Sequence, residues 1–263
     1  MNDGLLQTVL LGIIEGITEF LPISSTGHLL IAEKLGLGAR SDMFNIVIQA
    51  GAILAVTVIY WRRLWDLLIG LKEPENRDYA LKLSAAFIVT AILGYMLVNK
   101  LGFKLPEDVQ PIAWALIIGG VWILAAEWFA AKRPDQPTIS WPAAIIVGIA
   151  QIVAGIFPGT SRSGSTIFAA MLVGKASRVS ATEFAFIVGI PTMYAASASK
   201  LIPALKAGVS SDEWTHLIVG FLVSAIVAFT AVKWLLRYIQ THRFTVFAWY
   251  RIIVGALLLV FIR

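Results

Sequence analysis

Apolar runs of about 18–22 residues recur along this chain, each long enough to cross a bilayer as a helix. Six of them are uninterrupted: Phe44–Trp61, Ala80–Val98, Pro111–Ala130, Thr182–Leu201, Leu217–Leu236 and Phe244–Ile262. Two others are broken in the middle. Leu5–Ile14 gives way to Glu15, Glu19 and Pro22, and an apolar stretch resumes only as far as Leu35. Ala143–Phe157 is interrupted at Pro158–Thr166 and is short again to Val173. Neither piece of a broken run spans alone, so the pattern predicts two hairpins that each enter and leave on one side. The polar links include Lys72–Asp78 (KEPENRD) and Lys132–Ser140 (KRPDQPTIS). Trp61, Trp65, Trp128, Trp141, Trp214 and Trp234 fall at segment ends, where an interfacial aromatic belt places them.

Composition agrees. Of 263 residues 58% are hydrophobic and 14% charged, against roughly 25% charged in soluble domains. Mean hydropathy is +0.81. A transmembrane β-barrel would alternate over segments of about ten residues, which this chain does not do. It has no cysteine, which excludes disulfides, thiolate catalysis and Cys-ligated metals. A formal charge of +5 is small for the length and gives no sign of nucleic-acid binding. The opening MNDGLLQTVLLGII lacks a basic n-region and a small-residue cleavage pattern, and reads as structure rather than as a signal peptide.

The two broken runs are related. A shift of 136 residues places Gly12 on Gly148, Glu15 on Gln151, Pro22 on Pro158 and Ser25 on Ser161. A shift of 140 places FNIVIQ at Phe44 on FAFIVG at Phe184. Each half is then a hairpin followed by three spans, and an odd number of crossings inverts the second half. The expected fold is an all-α polytopic membrane protein built as an inverted-topology repeat, each half a re-entrant helical hairpin plus three transmembrane helices. It forms a single membrane domain over 1–263, with repeat 1 about 1–135 and repeat 2 about 136–263. One side collects Arg62, Arg63, Lys72, Arg77, Lys132, Arg133, Lys175, Arg178, Arg237 and Arg243. The other collects Lys34, Arg40, Lys100, Lys104, Lys206 and Arg263. The excess puts the first set in the cytoplasm and both termini outside.

Chemistry concentrates in the two breaks, EGITEFLPISSTGH (Glu15–His28) and QIVAGIFPGTSRSGST (Gln151–Thr166). Ionisable groups at membrane depth are costly and mark function by default. Glu15 and Glu19 share a helix face, where two close carboxylates hold a proton or share a cation; Mg²⁺ or Ca²⁺ suits such an oxygen pair. The alternative is a helix-terminal pair reaching the interface. Ser24 and Thr26 serve as caps or as catalytic contacts. His28 is a candidate general acid or base, and Ser25, three residues before it, a candidate nucleophile. In the second break, Gly159, Thr160, Ser161, Ser163, Gly164 and Thr166 form a small-residue anion cradle ahead of a helix. Arg162 adds a fork for phosphate oxygens, or pairs with Glu15 or Glu19. Gly159 and Gly164 have Walker A spacing, but Ser165 stands where the lysine belongs. Glu127, Glu183, Lys200, Lys233 and Arg251 lie near span ends and read as snorkelling or paired charges. Gly119-Gly120 suits close intramolecular packing or a homodimer equally well.

These two motifs in this order resemble the undecaprenyl-diphosphate phosphatase family, the bacitracin-resistance membrane phosphatases of bacteria. The similarity extends through FNIVIQAGAILAV (Phe44–Val56), Gly189-Ile-Pro191 and FAWYRIIVG (Phe247–Gly255), essentially the whole chain. One departure is Ala185, where the family pattern has serine. The resemblance implies cleavage of a polyprenyl diphosphate lipid to its monophosphate, which recycles the carrier for cell-wall synthesis. The site would face the outer side of the cytoplasmic (inner) membrane. Carried over by position, Glu15 and Glu19 are the acidic pair, Ser25 the nucleophile or phosphate contact, His28 the catalytic histidine, and Ser161 and Arg162 phosphate binders, with a divalent cation. Attack by Ser25 and attack by a water activated by Glu19 or His28 both remain open. One rival reading is an inverted-repeat transporter or flippase for a phosphorylated lipid or anion, but the residues of the breaks exceed what binding needs. A second rival, the acid-phosphatase type of lipid phosphatase, fails because no aspartate follows either histidine after the second break, His216 or His242.

Overall fold

The computed structural model describes residues 3–38, 40–97, 109–208 and 210–261. Among them every regular element is helical: α1 (Asp3–Thr18), α2 (Ser25–Ala32), α3 (Asp42–Ile59), α4 (Trp61–Ile69), α5 (Pro74–Tyr95), α6 (Val109–Ala130), α7 (Trp141–Ile156), α8 (Arg162–Gly174), α9 (Arg178–Ala207), α10 (Ser211–Thr241) and α11 (Thr245–Phe261). A π-helical turn, Glu33–Leu37, extends α2. Lys100, Lys104 and Arg263, used above for orientation, lie outside the described residues.

Among the described residues five helices are long and apolar enough to cross a membrane: α3, α5, α6, α9 and α10. The sixth predicted span, α11, is described over 17 residues. Its outward face is as apolar as theirs, with Val246, Ile253 and Val260 each more than half exposed. Lipid, not protein, is the natural cover for such side chains. Serine caps fix several starts: Ser41 accepts from Phe44 N, Ser140 from Ala143 N, Ser177 from Ser180 N and Ser210 from Glu213 N, at 3.1–3.3 Å. The KEPENRD link is shorter than its composition suggests, because Pro74 opens α5 at the position where a missing N–H costs nothing. The pattern also missed α4, which carries Arg62, Arg63 and Asp66 on a short helix whose Trp61, Trp65, Leu68 and Ile69 are exposed.

Helices far apart in sequence pack together. α1 lies against α10 and α7 against α5, while α3 packs on α9 and α6 on α11. Small residues permit these approaches. A Cβ at Gly12 would lie 3.0 Å from Gly220 O, one at Gly16 2.7 Å from Ser224 O, and one at Gly148 2.6 Å from Ala86 O. Gly119 and Gly120 are likewise used inside the chain, Gly119 against Arg251 and Gly120 against Ile252 and Ala248. Charges at helix ends pair as read. Arg178 grips the buried Glu127 at 2.5–3.1 Å, and Glu127 also accepts from Phe244 N at 2.9 Å, joining α6, α9 and the start of α11. Arg63 reaches Glu183 at 3.5 Å.

Candidate active site

Pro22 and Pro158 end the two hairpin helices, and the chain turns sharply into α2 and α8. Both turns close on a serine N-cap in a conformation that side chains rarely adopt: Ser24 at φ 78° and Ser161 at φ 71°. A non-glycine residue held there stores about 1–3 kcal/mol, the kind of strain that persists at working sites. Ser24 Oγ accepts from Gly27 N at 3.3 Å and Ser161 Oγ from Gly164 N at 3.2 Å. These matching caps put Ser24, not Ser25, opposite Ser161, one residue off the sequence alignment, because the second turn carries Gly159 as an extra residue with φ +94°.

In this register Ser25 and Arg162 are both first residues of their helices, and both meet Glu19. Ser25 Oγ donates to Glu19 Oε2, while Arg162 Nη2 donates to Glu19 Oε1 at 2.7 Å. Glu19 is 6% exposed, so this bridge joins the two hairpins away from bulk solvent. The turns are tied once more through Ser163, whose hydroxyl donates to Leu21 O at 3.0 Å. Glu15, 1% exposed, accepts the Glu19 N–H on its backbone carbonyl at 2.9 Å, and its side-chain Oε1 has no hydrogen-bond partner among the described residues. Gln151 is in a matching position on α7. Its Nε2 donates to Thr90 at 2.8 Å and its Oε1 is also unpartnered among the described residues.

A polar cavity of about 180 Å³ opens at this junction, lined by Glu19, Ser24, Ser25, Thr26, Gln49, Gln151, Gly159, Ser161 and Arg162 among others. The helix N-termini of α2 and α8 begin there, so their free N–H groups and positive dipole ends favour an anion. The cradle residues divide. Thr160 and Gly164 line a separate apolar cleft of about 760 Å³ between α6 and the second hairpin. Thr166 spends its hydroxyl on Arg162 O and Ser163 O, at 2.8 and 3.1 Å, and Ser163 spends its own on Leu21 O. Among the described residues no hydrogen bond joins His28 to Ser25 Oγ. The His28 Nδ1 lies 2.7 Å from Ser24 O, a pure acceptor, so Nδ1 donates there, and its Nε2 lies 2.7 Å from Tyr250 Oη.

Sequence reasoning missed three participants. Gln49 stands on α3 in the middle of an apolar span, an amide with no charge to mark it in the sequence. Tyr250 on α11 is the partner of His28. Arg251, expected to snorkel or to pair, is 1% exposed in the interior and makes no ion pair among the described residues.

The fold and the site together define a polytopic helical membrane protein with a shared carboxylate–hydroxyl–guanidinium centre where two turns meet. A family model described as Bacitracin resistance protein BacA matches residues 8–257. A protein of Rhizobium etli named undecaprenyl-diphosphatase is 67% identical over 255 residues, covering 97% of this chain and 96% of that protein. One of Xanthomonas euvesicatoria with the same name is 58% identical over 263 residues, 100% of this chain and 98% of its own. The chain belongs to the bacitracin resistance protein BacA family.

Proposed function

We propose that this protein hydrolyses undecaprenyl diphosphate to undecaprenyl phosphate and inorganic phosphate, recycling the lipid carrier for cell-wall synthesis and conferring bacitracin resistance. The observation that carries this reading is the Glu19 bridge. One buried carboxylate holds a hydroxyl nucleophile on one oxygen and a phosphate-binding guanidinium on the other. The diphosphate enters the 180 Å³ cavity, displaces Glu19 from Arg162 and takes the guanidinium and the α2 and α8 N-termini as its counter-charge. Ser25 then attacks the terminal phosphorus, Glu19 accepting the hydroxyl proton. The P–O bond to the bridging oxygen breaks and undecaprenyl phosphate leaves. Water cleaves the phosphoserine in a second step and restores Ser25. Ser24, Ser161, Thr26 and Gly159 shape the cavity rather than react.

Glu15 and Glu19 suit a divalent cation. Their donors are all oxygen, and Glu15 Oε1 is buried and unpartnered among the described residues. No group of three or more His, Asp or Glu gathers among those residues, so substrate and water would complete the shell. A bound Mg²⁺ or Ca²⁺ would supply charge neutralisation on the diphosphate.

The cross-packing of α1 on α10 and of α7 on α5, with matched glycine contacts, supports the inverted repeat and the two re-entrant hairpins of a single membrane domain. That arrangement, with the basic loops in the cytoplasm, opens the site to the outer side of the inner membrane. The test is phosphate release by purified protein from a long-chain isoprenyl diphosphate. Trapping of a phosphorylated Ser25 peptide supports the serine mechanism, and substantial turnover by Ser25→Ala overturns it in favour of activated water.

A further inference from the structure

Arg251, seven residues into α11, uses all five of its N–H donors on backbone carbonyls. Nη1 donates to Pro22 O at 3.2 Å and Thr160 O at 2.9 Å; Nη2 donates to Gly159 O and Ala115 O, both at 2.9 Å; Nε donates to Leu116 O at 3.3 Å. A buried cation normally calls for a carboxylate, but among the described residues no ion pair is made to it. Its charge is met by carbonyl dipoles drawn from three places: the first turn, the second turn and α6. Gly119 makes room for it, since a Cβ there would fall 1.9 Å from Nη2 and 2.6 Å from Cζ.

We infer that Arg251 is a positioning residue for the hydrolysis proposed above, on which this inference rests: it locks the two hairpin turns in register so that Ser25 and Arg162 converge on Glu19. Peptide planarity gives the lock a chemical consequence. No cis peptide occurs among the described residues, so fixing Thr160 C=O toward Arg251 turns the Ser161 N–H to the opposite side. Ser161 and Arg162 line the polar cavity, whereas Arg251 and Thr160 line the apolar cleft behind the turn. The guanidinium thus aims a backbone donor at the anion site without touching the substrate. A lysine keeps the charge but offers three donors from one nitrogen and cannot reach all five carbonyls.

Three variants test this against wild type in detergent: Arg251→Lys, Arg251→Gln and Gly119→Ala. The last leaves Arg251 in place but drives its guanidinium off the turns. Each is expected to keep wild-type helicity and monodispersity, to lose kcat by about tenfold or more, and to shift KM less than about threefold, as a residue acting on the reacting geometry should. A second readout does not depend on turnover. The chain has no cysteine, so the pair Thr26→Cys on α2 and Gly155→Cys near the end of α7, both lining the polar cavity beside the turns, can be spin-labelled cleanly. A single narrow distance in the Arg251 background, broadened in Arg251→Gln, supports the lock. Full kcat in folded Arg251→Lys, Arg251→Gln and Gly119→Ala overturns it, as does an unbroadened distance. Absence of phosphate release by wild type defeats the hydrolase reading instead, and the label distance then decides the lock alone.

Discussion

Glu19 holds Ser25 on one oxygen and Arg162 on the other, so each change at this junction has a distinct consequence. Arg162→Ala removes the permanent charge from the cavity and strands Glu19 at 6% exposure. Loss of one transition-state donor typically costs about 10²–10³ in kcat, and phosphate-release kinetics should read that loss. Arg162→Lys should recover only part, since an ammonium cannot replace the fork. Glu19→Gln should be as severe, because an amide cannot take the Ser25 proton. His28 belongs to a different arrangement. Bonded to Tyr250 and Ser24 O, it is expected to tolerate Tyr250→Phe with a loss under about tenfold, the share of one hydrogen bond. A loss equal to that of Arg162→Ala would place the histidine among the reacting groups. The residue types of the site were legible from the sequence because carboxylates, hydroxyls and an arginine are costly in lipid. Arg251 was not, since a single cation near a span end looks the same whether it snorkels or collects five carbonyls.

At the scale of elements, the apolar spans were legible because length and hydropathy suffice to mark them. α4 was not, since its charges sit among tryptophans and leucines on one short amphipathic turn of chain. Which helices touch was also beyond the sequence, since a glycine shows that something approaches closely but not what. Gly16→Val is expected to push α1 off α10, where a Cβ already meets Ser224 O at 2.7 Å and Ala228 N at 2.9 Å. Overpacking of this kind costs about 1–3 kcal/mol and should lower the thermal midpoint in detergent. Arg178→Ala should cost more, about 3–5 kcal/mol, because Glu127 is left buried at 2% side-chain exposure without its partner. Arg178→Met combined with Glu127→Gln should recover much of that loss, and calorimetry of the three variants checks the order.

For the whole molecule, the proposed inverted arrangement predicts sidedness. A single cysteine at Thr26 should react with an impermeant reagent added to intact cells, and one at Lys132 only after the membrane is opened. The alternation of broken and unbroken runs made the helical spans legible, but the contacts of α1 with α10 and of α7 with α5 come from packing that no one segment encodes. It brings two turns 136 residues apart in sequence to one carboxylate. The most direct test of that claim is phosphate release from undecaprenyl diphosphate by purified protein, with and without EDTA, beside Arg162→Ala. The account predicts release that needs both the divalent cation and Arg162, which joins the two hairpins in one site. Full release by Arg162→Ala, or none by folded wild type in any divalent cation, would contradict it.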